Sequence, residues 1–247
     1  MITVCIGGYR GRMGQRLEAL VADDARFEIV ARYDLDTDTT DDTFDVLIDF
    51  SAPEGTMKFL SLCQRKNAGL LIGCTGHTKE QKARITETAC DVPILMASNF
   101  SLGINLLLNM LPRIARELGD DFDIEIVETH HTRKVDAPSG TALTLLEALL
   151  AALPAATDRN RSEHVIHGRE GRVGAKPDRQ IGVHAVRSGD VVGRHEIIFG
   201  GVGESITITH EAHSRDTFVK GALEAAAWIH NKPPGFYTMK DVLSERG

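Results

Sequence analysis

The densest group of reactive side chains in this sequence lies between residues 128 and 142, in the run ETHHTRKVDAPSGTA. Imidazole is the side-chain group that ordinarily changes charge near neutral pH, so the two adjacent histidines could exchange protons with a substrate. Pro-Ser-Gly-Thr at the end of the run predicts a helix start, where backbone N–H groups and hydroxyls bind carboxylates. The run therefore predicts a site that binds a small polyanion and transfers a proton. Its candidate residues are His130, His131, Lys134, Ser139, Gly140 and Thr141.

Other interpretations of this run are weaker. Adjacent residues on a strand point to opposite faces, and no H-x-E or H-E-x-x-H spacing accompanies the two histidines, so we expect no metal. We expect one histidine to face the site and the other the core or a subunit contact. A basic run is usually a solvated surface, which suits Arg133 but not the neighbouring helix start. Ser139 has no G-x-S-x-G context, so it is predicted to be a helix cap or substrate contact rather than a nucleophile.

A second group of candidate residues lies near the start of the chain, where glycines at 8, 11 and 14 follow an apolar run. Such glycines permit a sharp turn and a close approach of backbone N–H groups to a pyrophosphate, although a purely structural strand–helix turn has the same pattern. Asp34 lies twenty residues after Gly14, where an acid meets the adenine ribose in dinucleotide sites. The acid favours NADH, whereas Arg10 and Arg12 could attract the 2′-phosphate of NADPH, and the sequence leaves both open.

Two further turns follow predicted strands and belong to the same edge of the predicted sheet. They are Gly73–Gly76 and Ala97–Phe100. In an open α/β sheet, ligands bind at the carboxyl ends of the strands. Asn99 could bond to a nicotinamide amide. Phe100 could stack on the nicotinamide or belong simply to the core.

The elements that must position these residues follow two patterns. Up to residue 99, short apolar runs alternate with helical spacing, which predicts a parallel, Rossmann-like sheet. After residue 99, a long helix is followed mainly by strands in succession, which predicts an α+β domain with an antiparallel or mixed sheet. The first part contains predicted strands Ile2–Ile6, Phe27–Ala31, Asp45–Phe50, Gly69–Ile72 and Val92–Met96, and helices Met13–Ala22, Glu54–Lys66 and Lys79–Cys90. The second contains helices Leu102–Leu118 and Thr141–Leu153 and strands Ile124–Thr129, Glu163–Val173, Gln180–Arg187, Val192–Phe199 and Ser205–Ala212, before a last helix, Thr217–Ile229.

Composition limits the function classes. The 247 residues suffice for a dinucleotide-binding domain and a smaller second domain. The net charge of −7 argues against a nucleic-acid partner, because neutralising phosphates requires a basic surface. The sequence has no apolar run of about 20 residues that could span a membrane. It also lacks the order of a secretion signal, and its four scattered cysteines form no Cys-x-x-Cys pair. We therefore expect a cytoplasmic protein with reduced thiols.

Taken together, the motifs resemble those of the dihydrodipicolinate reductase family, in the same order over nearly the whole chain. The matching runs are GRMG at 11–14, DVLIDFS at 45–51 with PEGT at 53–56, GCTG at 73–76, NFS at 99–101, ETHHTRKVDAPSGTA at 128–142, VRSGDVVG at 186–193, and Ser214-Arg215. The resemblance implies reduction of 4-hydroxy-tetrahydrodipicolinate by NADH or NADPH in lysine and diaminopimelate biosynthesis. It also implies a cofactor domain at 1–101 and 214–247, a substrate and tetramerisation domain at 102–213, and a homotetramer.

The resemblance further implies roles for individual residues. His130 would be the acid/base residue and Lys134 the proton donor, while His131, Gly140 and Thr141 would hold the substrate carboxylates. One departure is Ser98, which stands where many members have proline. The residues implied to hold the cofactor are Gly8, Tyr9, Arg10, Gly11, Arg12, Met13, Asp34, Gly73, Cys74, Thr75, Ala97, Ser98, Asn99 and Phe100.

Two alternatives stay open on the sequence alone. The first is another dehydrogenase of an amino acid or sugar acid on the same scaffold, against which the His-His-x-x-Lys run with Pro-Ser-Gly-Thr argues. The second is a non-catalytic sensor of NAD(P), against which the presence of both His130 and Lys134 argues.

Overall fold

The computed structural model describes residues 1–36, 43–153 and 164–245. It divides into two compact units, Met1–Asn105 with Arg215–Gly247, and Leu106–Ser214. In chain order the elements are β1 Ile2–Gly7, α1 Arg12–Ala22, β2 Phe27–Tyr33, β3 Val46–Asp49, α2 Pro53–Lys66, β4 Gly69–Ile72, α3 Lys79–Thr88, β5 Pro93–Met96, α4 Leu102–Leu118, a 3₁₀ turn Gly119–Asp121, β6 Asp123–His130, α5 Gly140–Ala152, β7 Val165–Ile166, β8 Ile181–Arg187, β9 Gly193–Gly200, β10 Ser205–Ala212, α6 Asp216–Ile229, β11 Gly235–Tyr237 and α7 Met239–Ser244.

The first unit is built on a six-stranded sheet in the order β11-β5-β4-β3-β1-β2, and each pair of neighbours is parallel. Its strands are apolar on both faces because helices cover both. Val4 and Ile6 pack in one core with α1 and α6, whereas Cys5, between them, packs in the other with α2. The chain moves to one side of β1 for β2 and to the other for β3. That reversal opens a crevice at the carboxyl ends of β1 and β3.

The second unit is built on a five-stranded sheet in the order β10-β9-β6-β8-β7. Strand β9 runs antiparallel to both of its neighbours, whereas β6, β8 and β7 run parallel to one another, so the sheet is mixed. One face packs against α4 and α5 around Leu111, Ile126, Leu145 and Phe199. The predicted fold class, a parallel Rossmann-like sheet with a second unit containing a mixed sheet, is therefore confirmed.

Two details of the predicted elements differ from the structure. The strand predicted over 163–173 is wrong in length: β7 covers only Val165–Ile166, and residue 163 lies outside the described residues. The chain leaves the strand at glycines 168, 171 and 174, whose positive φ angles no strand permits. The sequence also gave no sign of β11 and α7, which add a sixth strand to the first sheet and a short helix capped by Thr238 and Asp241.

Among the described residues, no helix combines the length and the apolar character that a membrane span requires.

Candidate active site

Strand β6 places the side chains of Glu128 and His130 in the interior of the second unit. Its residues alternate between the two faces, so Ile124, Ile126, Glu128 and His130 all lie on the buried face. The apolar face thus ends in a carboxylate and an imidazole. The Glu128 side chain has no exposed surface at all, and His130 is 9% exposed.

The Glu128 carboxylate is fully bound by its neighbours. Its Oε2 lies 2.5 Å from Nδ1 of His130 and its Oε1 accepts a 3.1 Å hydrogen bond from the backbone N–H of Ser139. Arg187 donates to both oxygens, at 2.9 and 3.0 Å. Burial raises the pKa of this carboxyl, but the hydrogen bonds from Arg187 and His130 outweigh burial and leave the pKa below its usual value. Glu128 is therefore ionised at neutral pH.

His130 is held in one tautomer by this carboxylate. Burial lowers its pKa, Glu128 opposes that effect, and the positive charges of Lys134 and Arg187 lower the pKa further. A neutral imidazole beside an ionised carboxylate carries its proton on Nδ1, so Nε2 is left as the basic atom. A Cβ atom at residue 193 would lie 3.0 Å from Nε2, so Gly193 keeps the space beside that atom open. The geometry suits proton exchange at Nε2.

A second histidine, His195 on β9, closes the interior side of this group. It lies opposite Glu128 in the sheet, and its ring meets the ring of His130 edge to face with centroids 5.2 Å apart. Burial, followed by the neighbouring His130, lowers its pKa to about 4. Its Nε2 lies 3.1 Å from the hydroxyl of Ser139. His195 is therefore a neutral packing and hydrogen-bonding residue at physiological pH.

Ser139 is the N-cap of helix α5. Its hydroxyl accepts a hydrogen bond from the backbone N–H of Ala142, as an N-cap does. Its own N–H is taken by Glu128. The side chain and the backbone of Ser139 are thus both committed to the protein, and the helix start is fixed against β6.

Lys134 and the first turn of α5 already bind a carboxylate, that of Asp136. The Lys134 ammonium lies 2.9 Å from Oδ1 of Asp136. The pKa of Asp136 is lowered chiefly by this lysine, and a hydrogen bond from the backbone of Gly140 contributes. A Cβ atom at Gly140 would meet no atom within 4 Å, so the space in front of this helix start is open.

The loop between β6 and α5 is fastened to the turn that follows β8. The backbone N–H of Ser188 donates to the carbonyl of His130 at 2.8 Å, and that of Thr132 donates to the carbonyl of Gly189 at 3.2 Å. Arg187 also donates to the carbonyl of Asp136 at 2.7 Å. The loop that carries His131 and Lys134 is therefore anchored at several points along its length.

The remaining predicted residues of this loop lie on the same segment. His131 is partly exposed, and its buried Nδ1 has no hydrogen-bond partner among the described residues. Thr141 lies in the first turn of α5 and is half-buried. The structure thus brings all six candidate residues to the end of β6 and the start of α5.

Three residues that we did not select from the sequence belong to this group: Glu128, Arg187 and His195. A signal existed for the first, because Glu128 lies two residues before His130 on a strand and must share its face. The other two arrive through pairing of β6 with β8 and β9, which places Arg187 beside His130 and His195 beside Glu128.

The glycine-rich turn of the first unit is tightly packed and leads into an uncapped helix start. Gly8 has φ +75°, and a Cβ there would lie 2.8 Å from the backbone of Phe50. A Cβ at Gly14 would lie 2.3 Å from the carbonyl oxygen of Gly8. Gly11 precedes α1, and no side chain caps that helix start. The backbone is compact and the helix start presents its N–H groups, which fits a bound diphosphate.

The end of β2 places acidic groups beside this turn. Asp34 follows the strand directly, and one of its oxygens lies 3.4 Å from the backbone nitrogen of Arg10, which donates to it. The Arg10 guanidinium forms an ion pair with Asp36 at 2.8 Å. Arg10, considered above as a partner for a 2′-phosphate, is thus paired with a carboxylate of the protein.

The turns after β4 and β5 complete this edge of the sheet. Phe100 is buried, and its ring meets the ring of Phe50 edge to face with centroids 5.9 Å apart. Its side chain therefore belongs to the core of the first unit. The Asn99 side chain accepts a hydrogen bond from the N–H of Ser101 at 2.8 Å. The Cys74 side chain is buried, whereas Thr75 is exposed. The exposed residues at this edge are therefore Thr75 and Gly76 in the first turn and Ser98 in the second.

Within the described residues, no group of three or more histidine, cysteine, aspartate or glutamate side chains is arranged to hold a metal ion.

Comparison with known proteins gives a consistent result. Residues 2–100 match the family model described as the N-terminus of dihydrodipicolinate reductase, and residues 103–243 match the model of its C-terminus. A 4-hydroxy-tetrahydrodipicolinate reductase from Hahella chejuensis is 48% identical over 202 residues, which cover 82% of this chain and 74% of the relative.

Solved structures agree with these sequence matches. A dihydrodipicolinate reductase from Paenisporosarcina sp. TG-14, with dipicolinate bound, superposes with a TM-score of 0.78 at 28% identity, covering 98% of this chain and 99% of that one. A myo-inositol dehydrogenase from Corynebacterium glutamicum has a TM-score of 0.55 at 11% identity, covering 96% of this chain and 90% of that one. The second comparison shows a shared fold only.

Proposed function

Since this chain belongs to the dihydrodipicolinate reductase family, we propose that it reduces 4-hydroxy-tetrahydrodipicolinate to tetrahydrodipicolinate in lysine and diaminopimelate biosynthesis. The observation that carries the proposal is the combination found on one loop. A buried histidine whose Nε2 is left basic by Glu128 lies four residues before an ammonium that already binds a carboxylate. Acid/base chemistry on an anionic substrate needs both groups.

The reductant is NADH or NADPH, which supplies a hydride when bound. The residues that we propose to hold it are those at the carboxyl edge of the first sheet. The turn at 8–14 and the start of α1 suit the diphosphate, because the backbone is compact and the helix start is open. Asp34 suits the ribose hydroxyls. The turns after β4 and β5, with their exposed residues Thr75, Gly76 and Ser98, suit the nicotinamide end.

The substrate is a dianionic cyclic imine, and we propose that its carboxylates bind where the carboxylate of Asp136 now lies. Lys134 supplies the positive charge, and the first turn of α5 at Gly140 and Thr141 supplies N–H and hydroxyl donors. His131, whose Nδ1 has no hydrogen-bond partner in the part of the chain that the structure describes, adds a further polar contact. Fixing the ring by both carboxylates orients it for reaction.

Proton transfer is the task of His130 and Lys134. Hydride addition to the conjugated imine leaves an electron-rich carbon that must take up one proton. Lys134 is the proposed donor. His130 exchanges a proton at Nε2, while the Nδ1 proton stays on the hydrogen bond to Glu128. The conjugated imine forms when the hydroxy substrate loses its hydroxyl group and a neighbouring proton as water. That imine, one hydride and one proton then give tetrahydrodipicolinate, so the overall change is balanced.

The two units would divide this work. We propose that the unit containing residues 1–101 and 214–247 binds the nucleotide and that residues 102–213 bind the substrate and form the contacts of a homotetramer. We also propose that the protein acts in the cytoplasm, where this biosynthetic chemistry and reduced thiols belong.

The proposal is tested by following the absorbance of NADH and of NADPH with freshly generated substrate. We expect oxidation of at least one nucleotide at a rate typical of biosynthetic enzymes, about 1–10³ per second. The ligand of the Paenisporosarcina relative, dipicolinate, should inhibit competitively with the substrate. Absence of oxidation of either nucleotide by folded protein would contradict the proposal.

A further inference from the structure

A buried polar cluster that the proposed chemistry does not use lies in the first unit, between β3, α2 and the turn after β4. It contains Asp49, Thr56, Cys74 and His77, all of which are less than 9% exposed. Asp49 ends β3 and Thr56 lies in the first turns of α2. Four polar side chains in an apolar interior are costly unless they satisfy one another.

Thr56 is the centre of this cluster. Its hydroxyl lies 2.6 Å from Oδ2 of Asp49, 3.0 Å from Nε2 of His77 and 2.9 Å from the sulfur of Cys74. The other carboxylate oxygen of Asp49 accepts hydrogen bonds from the backbone and the hydroxyl of Ser51, at 2.8 and 2.5 Å. The carboxylate is thus surrounded by donors.

The direction of each hydrogen bond follows from these contacts. Thr56 has a single hydroxyl proton and donates it to Asp49. Its oxygen must then accept from Nε2–H of His77. His77 is therefore the tautomer with a bare Nδ1, which agrees with the lack of a partner for that atom among the described residues. Asp49 thus fixes the tautomer of His77 through Thr56.

This arrangement holds a short exposed segment from both sides. Cys74 and His77 are buried, whereas Thr75 and Gly76 between them are exposed. At the start of the turn, the N–H of Gly73 donates to the carbonyl of Asp49 at 2.8 Å. At its end, His77 is bound to Thr56. Both anchors lead to the same aspartate, so the turn is fixed at each end by one residue.

We propose that Thr56 is a positioning residue for the nucleotide. Through Asp49 and His77 it holds the exposed backbone of the turn at 73–77 in the form that contacts the cofactor. This inference rests on the proposed function, because it assigns the turn to nucleotide binding. It extends that function to three residues beyond the ones proposed to touch the cofactor.

The test is the binding of NADH to the full-length protein, measured by fluorescence titration without substrate. Thr56→Val keeps the shape of the side chain but leaves Asp49 short of one donor and His77 without its acceptor. We expect NADH affinity to fall about tenfold. Thr56→Ser, which keeps the hydroxyl, should restore binding to within about twofold of the unchanged protein. In steady-state assays of Thr56→Val, the KM for NADH should rise, whereas kcat, which is the rate at saturating NADH, should change far less.

A second variant and a matched control make the result decisive. His77→Leu should weaken binding by a similar factor. The double variant should bind NADH no more weakly than Thr56→Val alone, because the hydrogen bond that His77→Leu removes is already absent in Thr56→Val. Thr88→Val removes another buried threonine hydroxyl, on α3, which has no partner among the described residues. It should leave NADH affinity unchanged.

The outcomes separate this inference from the proposed function. Unchanged NADH affinity in folded Thr56→Val or His77→Leu would overturn the inference, as would an equal loss in Thr88→Val. If Thr56→Val does not fold, His77→Leu decides the question alone. If the unaltered protein binds neither NADH nor NADPH, the proposed function itself is wrong.

Discussion

Replacing Glu128 by glutamine should impair catalysis through His130 without affecting the nucleotide. The carboxylate accepts four hydrogen bonds: one from His130, one from Ser139 and two from Arg187. A glutamine amide must turn its NH₂ group toward two of those donors. If it faces His130, the imidazole is driven to carry its proton on Nε2, which is the wrong tautomer for proton exchange there.

The expected loss of stability follows from the hydrogen-bonding groups that the substitution leaves unpaired. Arg187, whose side chain is 21% exposed, loses the negative charge of the fully buried Glu128, and the amide NH₂ group faces two N–H donors. We expect the free energy of unfolding to fall by about 3 kcal/mol. General acid/base catalysis contributes at least about 100-fold, so kcat should fall by about that factor, or about 2.7 kcal/mol in activation free energy. The KM for NADH should stay within about twofold.

Glu125→Gln is the matched control. Glu125 lies on the same strand but on the other face, and it also binds a histidine, His184 at 2.7 Å, together with Arg169 and Lys176. Its replacement should lower stability while leaving kcat nearly unchanged. Steady-state rates with substrate, nucleotide titrations and denaturant unfolding are measured for both variants. A kcat of Glu128→Gln within about twofold of the unaltered protein would refute the role assigned to this carboxylate.

Three further predictions concern other groups. Because burial lowers the pKa of His195 from 6.5 to about 4, the unfolded state binds protons over that range and the folded state does not. The free energy of unfolding should therefore fall as pH drops from about 6.5 to 4. In denaturant titrations, His195→Gln should remove about 3 kcal/mol of that fall. If the free energy of unfolding of His195→Gln depends on pH as strongly as that of the unaltered protein, the prediction is wrong. Asp36→Ala releases Arg10 from its ion pair and removes a negative charge near the proposed ribose site. The ratio of kcat/KM for NADPH to kcat/KM for NADH should therefore rise on the order of fivefold. An equal change for both nucleotides would count against placing the ribose beside Arg10 and Asp36. Of the four cysteines only Cys90 is exposed, and burial raises the pKa of Cys74 to about 12. One thiol per native chain should therefore react with a disulfide reagent, and mass spectrometry should locate it at Cys90. A second thiol that reacts equally fast would contradict the burial of the other three.

The sequence predicted those parts of the fold that depend on local periodicity. Strands that are buried on both faces, such as β4, appear as continuous apolar runs, and β6 alternates visibly between polar and apolar residues. The predicted strand at 163–173 failed because its glycines have positive φ angles that periodicity does not reveal. Strand β11 has only three residues, too few for any period, and its place is set by pairing with β5.

The candidate site was predictable only where its residues are neighbours in sequence. His130, Lys134 and the start of α5 form one run, so their types and spacing indicated a proton-transfer and anion site. The partners of His130 come from other strands, and their positions depend on the register of β6 with β8 and β9. Likewise, nothing in the sequence indicates that Thr56 lies between Asp49 and His77, because that contact joins residues 21 positions apart.

The two units use a buried carboxylate beside a histidine in different electrostatic settings. Arg187 contacts the Glu128 carboxylate and keeps its pKa below the usual value, so Glu128 stays ionised into the acidic range. Among the residues that the structure describes, Asp49 accepts hydrogen bonds from hydroxyl and backbone donors and none from an arginine or a lysine, and burial raises its pKa. Its ionised form therefore opposes folding at neutral pH, and the hydrogen bonds it orders through Thr56 offset that cost only in part. A carboxylate that weakens the fold in this way is expected where local geometry matters more than stability, and the turn proposed to hold the nucleotide is such a place.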